Sequence, residues 1–242
     1  SAPRQRGPIL HVLPCNVPTR DTKRARRRTA MSPHLASPRD YWDSRYTEID
    51  CLYGQLPNAW LYECAISLPP QGGRVLCPAE GQGRNALWLA AQGCEVHAVD
   101  ISAVALEQLE RRARQSGLPI TCEQANLSTW TAPAQTFDAA LLIFAHFPPE
   151  VRTHVHAQVQ RALKPRGWLV LEAFTREQLG LDSGGPRNPN WLYSADLLAE
   201  DFAEMQIAAL SESRIRLDEG PGHQGEAAVV RLLARRLVMP EA

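Results

Sequence analysis

From Gly73 onward, apolar runs of strand length alternate with stretches whose apolar residues recur at helical spacing. That alternation marks βαβ units, because a parallel strand buried on both faces reads as a continuous apolar run and its crossover helix as an amphipathic one. Five runs predict strands over 74–79, 95–100, 120–125, 137–144 and 168–174. Helices are predicted over 84–92, closed by Gly93, over 103–115, where Val104, Leu106 and Leu109 share a face and Ser102 supplies a cap, and over about 150–163. Lys164-Pro165-Arg166-Gly167 should stop the last of these before the fifth strand. Beyond it lie a glycine- and proline-rich loop (184–189), a short helix near 194–202, and two long segments, 206–217 and 226–238. The turn residues Asp218-Glu219-Gly220-Pro221-Gly222 between those segments predict an antiparallel hairpin on the sheet edge. The expected fold is therefore α/β, a doubly wound, mostly parallel seven-stranded sheet with a C-terminal antiparallel hairpin.

Two segments precede the sheet. Residues 42–61 are amphipathic and carry Trp42, Tyr46, Tyr53 and Trp60, as expected of a lid over a site, of a helix packed on the sheet, or of both. Residues 1–37 are rich in Pro and Arg with no apolar period, and read as a disordered basic leader ahead of one domain spanning 38–242. Met31 is a candidate initiator. Six cations crowd into Arg20 to Arg28, although Lys+Arg and Asp+Glu both total 26, so no global field points to a polyanionic partner. The leader nonetheless leaves open a non-catalytic, RNA-associated role. Six cysteines without a C-x-x-C pair suit a reducing compartment, and no apolar run is long enough to span a membrane, so a cytoplasmic protein is expected.

The chemistry-bearing residues fall at strand ends. The first strand runs into Glu80-Gly81-Gln82-Gly83-Arg84-Asn85-Ala86, a glycine loop opening a helix, where free amides favour an anionic group. Gly81, Gly83 and Ala86 also satisfy a dinucleotide fingerprint, so an NAD(P)-dependent oxidoreductase is an alternative. Asp100 ends the second strand, where a carboxylate can accept both hydroxyls of an adenosine ribose, with Ile101 beside it; the competing role for Asp100 is a helix cap. Asn126 suits an adenine edge and Leu127 its face, and Phe144-Ala145-His146-Phe147 ends the fourth strand. In an open α/β sheet all four ends converge on one crevice.

The glycine loop, Asp100, Asn126-Leu127, Phe137-Asp138 and Leu163-Lys164-Pro165-Arg166-Gly167 together resemble the class I methyltransferases that use S-adenosylmethionine (SAM), with their Rossmann-like sheet. Tyr41-Trp42-Asp43-Ser44-Arg45-Tyr46, Tyr53-Gly54 and Pro57-Asn58, followed by Gly81-Gln82-Gly83-Arg84-Asn85, are similar to the branch of tellurite-resistance and thiol or thiopurine methyltransferases. The resemblance implies SAM as cofactor, held by Trp42, Arg45, Tyr53, Gly54, Glu80, Gly81, Gly83, Arg84, Asn85, Asp100, Ile101, Asn126, Leu127, Phe144 and Ala145. The acceptor it implies is a small molecule, favoured as a thiol, selenol or other chalcogen, with no membrane or nucleic-acid partner and an oligomeric state left open. Two departures stand out: Cys77 occupies a position that is commonly acidic in the family, and Ala79 one that is commonly glycine, which makes Glu80 the local carboxylate.

Displacement at a sulfonium methyl needs orientation and a dry site more than a catalytic triad. A base serves only to deprotonate the acceptor. His146 is the nearest candidate, against the alternative of a histidine that packs at the cleft wall; His223 in the hairpin loop is the second, against that of a solvated turn residue. Trp191 and Tyr193 are candidates for the far wall of the acceptor pocket. His154 and His156, two apart on a helix, face different ways, and no metal is assigned.

Overall fold

A computed structural model describes residues 37–68 and 72–238, so the expected leader lies outside the described residues except for Ser37. Ser37 is the N-cap of α1 (Pro38–Glu48), its hydroxyl accepting from the Asp40 N–H. The remaining order is α2 (Ala59–Cys64), β1 (Arg74–Pro78), α3 (Arg84–Ala91), β2 (Glu95–Asp100), α4 (Ala103–Ser116), β3 (Ile120–Gln124), β4 (Phe137–Ile143), α5 (Pro149–Ala162), β5 (Leu163–Phe174), α6 (Ala195–Asp201), β6 (Met205–Asp218) and β7 (Gln224–Arg236). One seven-stranded sheet has the order β3-β2-β1-β4-β5-β7-β6. The first five strands pair in parallel, and β7 lies antiparallel between β5 and β6.

Alternation along the central strands assigns the two faces. Val75, Cys77, Ala139, Leu141 and Val170 pack with residues of α2, α3 and α4. Their neighbours Leu76, Ala140, Leu142, Leu169 and Leu171 pack with α5, α6, Trp130 and Tyr193 on the other side. Both faces are covered, which is why the strands show no polar alternation.

One expected boundary is corrected. Lys164 to Gly167 does not separate helix from strand: α5 ends at Ala162, and β5 starts at once at Leu163. Strand geometry survives there because Arg166 takes a left-handed φ of 67° and the β4–β5 register shifts between Phe137 and Ala139, absorbing the turn residues as a bulge.

Candidate functional site

The strand order reverses between β1 and β4, so a crevice opens beyond their carboxyl ends. Its two lips share an uncommon backbone: Ala79 after β1 and Phe144 after β4 have φ of 53° and 52°. Left-handed geometry costs a residue with a Cβ roughly 1–2 kcal/mol, and such strain gathers at functional sites. Ala79 thus takes a conformation that favours glycine, and Cys77 is simply core.

The glycine loop is held from three directions. A Cβ on Gly83, whose φ is 88°, would lie 2.2 Å from Leu109 Cδ1, so only glycine lets α3 begin this close to α4. Glu80 Oε1 accepts from the backbone N–H of Asn85 at 3.1 Å and of Ala86 at 2.8 Å, capping α3. Burial pushes the Glu80 carboxyl up to about 7, with the Ala86 N–H and the Arg84 guanidinium working the other way. Asp100, 6% exposed, accepts from the Gly81 N–H at 2.7 Å and the Ser102 N–H at 2.8 Å, one on each oxygen. Burial raises its pKa against the backbone N–H groups of Ser102, Gly81 and Ile101. The helix-cap alternative for Asp100 is corrected: Ser102 caps α4, accepting from the Ala105 N–H at 3.1 Å. Across the crevice Asn126 Oδ1 takes bonds from the N–H and hydroxyl of Ser128, while its NH2 has no partner among the described residues. Leu127 is buried beside it, and the Ile101 carbonyl accepts from Gln124 at 3.2 Å.

Residues 37–58 form a roof fastened to this loop. Asp43 Oδ1 accepts from Ser102 Oγ at 2.5 Å, and Gln108 donates to the Tyr46 carbonyl at 2.9 Å. Tyr46 is buried, stacked on Trp42 with its hydroxyl against Gly81, and Arg45 lies over the Tyr41 ring at 5.7 Å. Gln82, absent from the expected site, accepts from the Leu52 N–H at 2.8 Å and donates to the Ile49 carbonyl at 2.9 Å. Arg84 donates to the Tyr53 carbonyl at 3.1 Å and to Glu219 at 2.8 Å. Asn58, likewise unexpected, donates from its N–H to Asn85 at 2.9 Å and from its side chain to Glu172 at 2.5 Å and Glu219 at 3.2 Å. Gly54 lies against the backbone of Glu219 and Gly220, and Gly222 donates to the Leu52 carbonyl at 2.8 Å. The lid expected from the aromatic pattern is here joined to the hairpin loop.

The histidines separate cleanly. His146 Nδ1 lies 2.6 Å from the Trp191 carbonyl, and its Nε2 accepts from the Phe174 N–H at 3.1 Å. Its single lone pair is spent on the backbone, and burial lowers its pKa to about 4, so the expectation of a base at His146 gives way to a structural bridge. Tyr193 is no pocket wall either: it is 1% exposed, and its hydroxyl donates to the Ala145 carbonyl and accepts from the Phe147 N–H. The Trp191 carbonyl serves His146. His223, by contrast, stands among Tyr53 at 4.4 Å, Phe144 at 4.5 Å and Phe174 at 5.2 Å between ring centroids, only 4% exposed rather than solvated in a turn. No cluster of metal-ligating residues occurs among the described residues, and none of their helices is long and apolar enough to cross a membrane.

Residues 75–167, from β1 through the glycine loop to the bulge of β5, match the family described as a methyltransferase domain. That stretch is where this chain is similar to the methyltransferases. The chain is 28% identical over 141 residues to a thiopurine S-methyltransferase of Bordetella petrii, an overlap covering 49% of this chain and 62% of that relative. Among solved structures it is similar to one from work on the conversion of a disulfide bond into a thioacetal group during echinomycin biosynthesis, with a TM-score of 0.67, 20% identity, and coverage of 82% of this chain and 91% of that one. TehB from Haemophilus influenzae follows, with a TM-score of 0.62, 17% identity, and coverage of 82% and 66%. The dinucleotide reading of Gly81, Gly83 and Ala86 gives way to the methyltransferase one, whose cofactor is SAM. The donor set fits that cofactor: Asp100 is an acceptor-only carboxylate at the strand end, and the Asn126 NH2 lies beside apolar Leu127.

Proposed function

We propose that this chain transfers a methyl group from SAM to a small-molecule nucleophile, with a thiol, selenol or other chalcogen as favoured acceptor. The observation that carries the reading is the imidazole of His223, enclosed by Tyr53, Phe144 and Phe174 at the lip of the crevice where β4 ends. Asp100 would hold the ribose, Asn126 and Leu127 the adenine, and the glycine loop with Glu80 the amino-acid end. When bound, SAM supplies an electrophilic methyl carbon on its sulfonium. The aromatic walls exclude water from the acceptor, and His223 takes the proton that the acceptor gives up as its heteroatom becomes methylated.

A soft nucleophile suits this pocket because a thiol of pKa near 8.5 needs only modest help from an imidazole. Burial keeps His223 below its usual pKa, hence neutral and able to accept at pH 7. The relative named as a thiopurine S-methyltransferase points to sulfur as well. Turnover of thiols, selenols, imidazoles and phenols, followed as S-adenosylhomocysteine, tests the reading: thiols or selenols should lead. SAM binding absent by calorimetry would refute the cofactor site, and turnover confined to phenols or imidazoles would refute the chalcogen preference.

A further inference from the structure

The hairpin loop presents a buried carboxylate to that imidazole. Glu219 Oε2 lies 3.6 Å from His223 Nδ1, an ion-pair separation just beyond a hydrogen bond, and Nδ1 is buried with no other partner. The carboxylate is fixed from behind: Arg84 donates to Oε2 at 2.8 Å and Asn58 to Oε1 at 3.2 Å. Burial alone would raise its pKa, yet His223 and the Arg84 guanidinium hold it at about 2, so Glu219 stays ionised. The other nitrogen of His223 has no hydrogen-bond partner among the described residues and faces Gly184. A Cβ there would lie 3.3 Å from Nε2 and 2.7 Å from Cδ2, and Gly184 has a φ of 125°, so only a glycine fits against this edge of the ring.

We infer that Glu219 is a positioning residue: anchored by Arg84 and Asn58, it selects the Nδ1–H tautomer of His223 and leaves Nε2 as the proton acceptor. The inference rests on the proposed role of His223. An Nδ1–H has one acceptor within reach, the carboxylate, whereas an Nδ1 lone pair would face that charge in a dry site. When Nε2 takes a proton, the imidazolium gains the same carboxylate as counter-charge, and no second proton moves. Around the ring the charged and titratable groups are Glu219, Arg84, Arg45, Tyr53 and His146; Glu219 is the anionic one, so it alone favours the imidazolium.

The test is imidazole nitrogen NMR on the full chain, with His146 as internal reference, since its backbone bonds fix an Nδ1–H tautomer. At neutral pH His223 should show the same pattern, with Nε2 unprotonated. In Glu219→Gln one amide oxygen faces three donors, from Arg84, Asn58 and Nδ1–H. His223 should then shift toward Nε2–H and titrate at lower pH. The acid limb of kcat/KM should move down with it, and thiol turnover should fall at least about tenfold, with SAM affinity within about threefold. A purely structural Glu219 would leave the tautomer and the acid limb in place. A wild-type His223 protonated on Nε2 at neutral pH overturns the inference without any variant. If Glu219→Gln shifts the tautomer while His223→Ala retains full turnover at every pH, the positioning stands and the base assignment falls.

Discussion

Replacing Asp100 by asparagine should lower both stability and SAM affinity, and the two losses can be read separately. Each carboxylate oxygen holds one backbone N–H, that of Gly81 at 2.7 Å and that of Ser102 at 2.8 Å. A hydrogen bond to a charged group contributes about 1.5–3 kcal/mol, and an N–H left buried without a partner costs about 1–3 kcal/mol. Asparagine keeps one acceptor oxygen and sets its NH2 against the second N–H, so one bond weakens and the other becomes a donor–donor contact. Burial disfavours the native charge and returns part of the loss. The net is about 1–3 kcal/mol, or roughly 2–12 °C in Tm at about 2–4 °C per kcal/mol for a domain of this size.

Affinity should suffer in addition, because a neutral amide offers the ribose hydroxyls one acceptor where the carboxylate offers two. About 2 kcal/mol corresponds to roughly thirtyfold in Kd. Thermal melts of the free protein give the first number and titration calorimetry with SAM below the melting range the second. A lowered Tm with Kd unchanged within about threefold would make Asp100 a brace of the glycine loop alone and refute the ribose assignment. An unchanged Tm would refute the structural half.

Gly83→Ala adds a Cβ 2.2 Å from fully buried Leu109 in a left-handed backbone; it should cost about 3 kcal/mol or more, partly recovered in a Leu109→Ala background in a double-mutant cycle by urea denaturation. Ala79→Gly should relieve the φ of 53°, offset by the entropy of a freer unfolded chain, for a gain of up to about 1 kcal/mol and about 2–4 °C in Tm; a loss would show that the alanine methyl packs usefully. Glu80 has its folded pKa raised to about 7, so its contribution to stability is full below about 4.5 and lost as pH rises through 7. Glu80→Gln should flatten that window in urea titrations against pH, and an unchanged slope would show that Glu80 is ionised throughout.

The fold was legible because it rests on periodicity. Strand β2 and the start of α4 fall where the pattern puts them, and Ser102 caps as its position predicts. The bulge of β5 was not, since Pro165 and Gly167 carry the same local signal whether they break a chain or bend a strand. Asp100 and Asn126 were marked by sitting at strand ends. His146 was marked by the same rule, and what removes it from chemistry is a pair of backbone groups, of Trp191 and Phe174, that come together only in the folded chain. Glu172 did carry a signal, a lone acid in the apolar run of the fifth strand. Gln82 and Glu219 carried none, a glutamine in a glycine loop and an acid in a turn being ordinary surface residues.

That failure has a common physical origin in how the roof is attached. Glu172 is fully buried, bound by Arg231 at 2.6 Å and by Asn58, and burial raises its pKa while Arg231 opposes the rise. A buried polar cluster of this kind is weak evidence for stability, because apolar residues of similar volume would often serve as well. Its distinctive property is direction. Asn58 joins residues 114 and 161 positions away and also bonds Asn85 at the head of α3, so one amide sets the roof, the sheet, the hairpin loop and the glycine-loop helix against each other. Hydrophobic burial tolerates sliding by fractions of an ångström, whereas a site that aims His223 at an acceptor, as proposed, would not. The pattern of apolar residues therefore specifies which faces meet, and the polar contacts between distant segments specify where the crevice points.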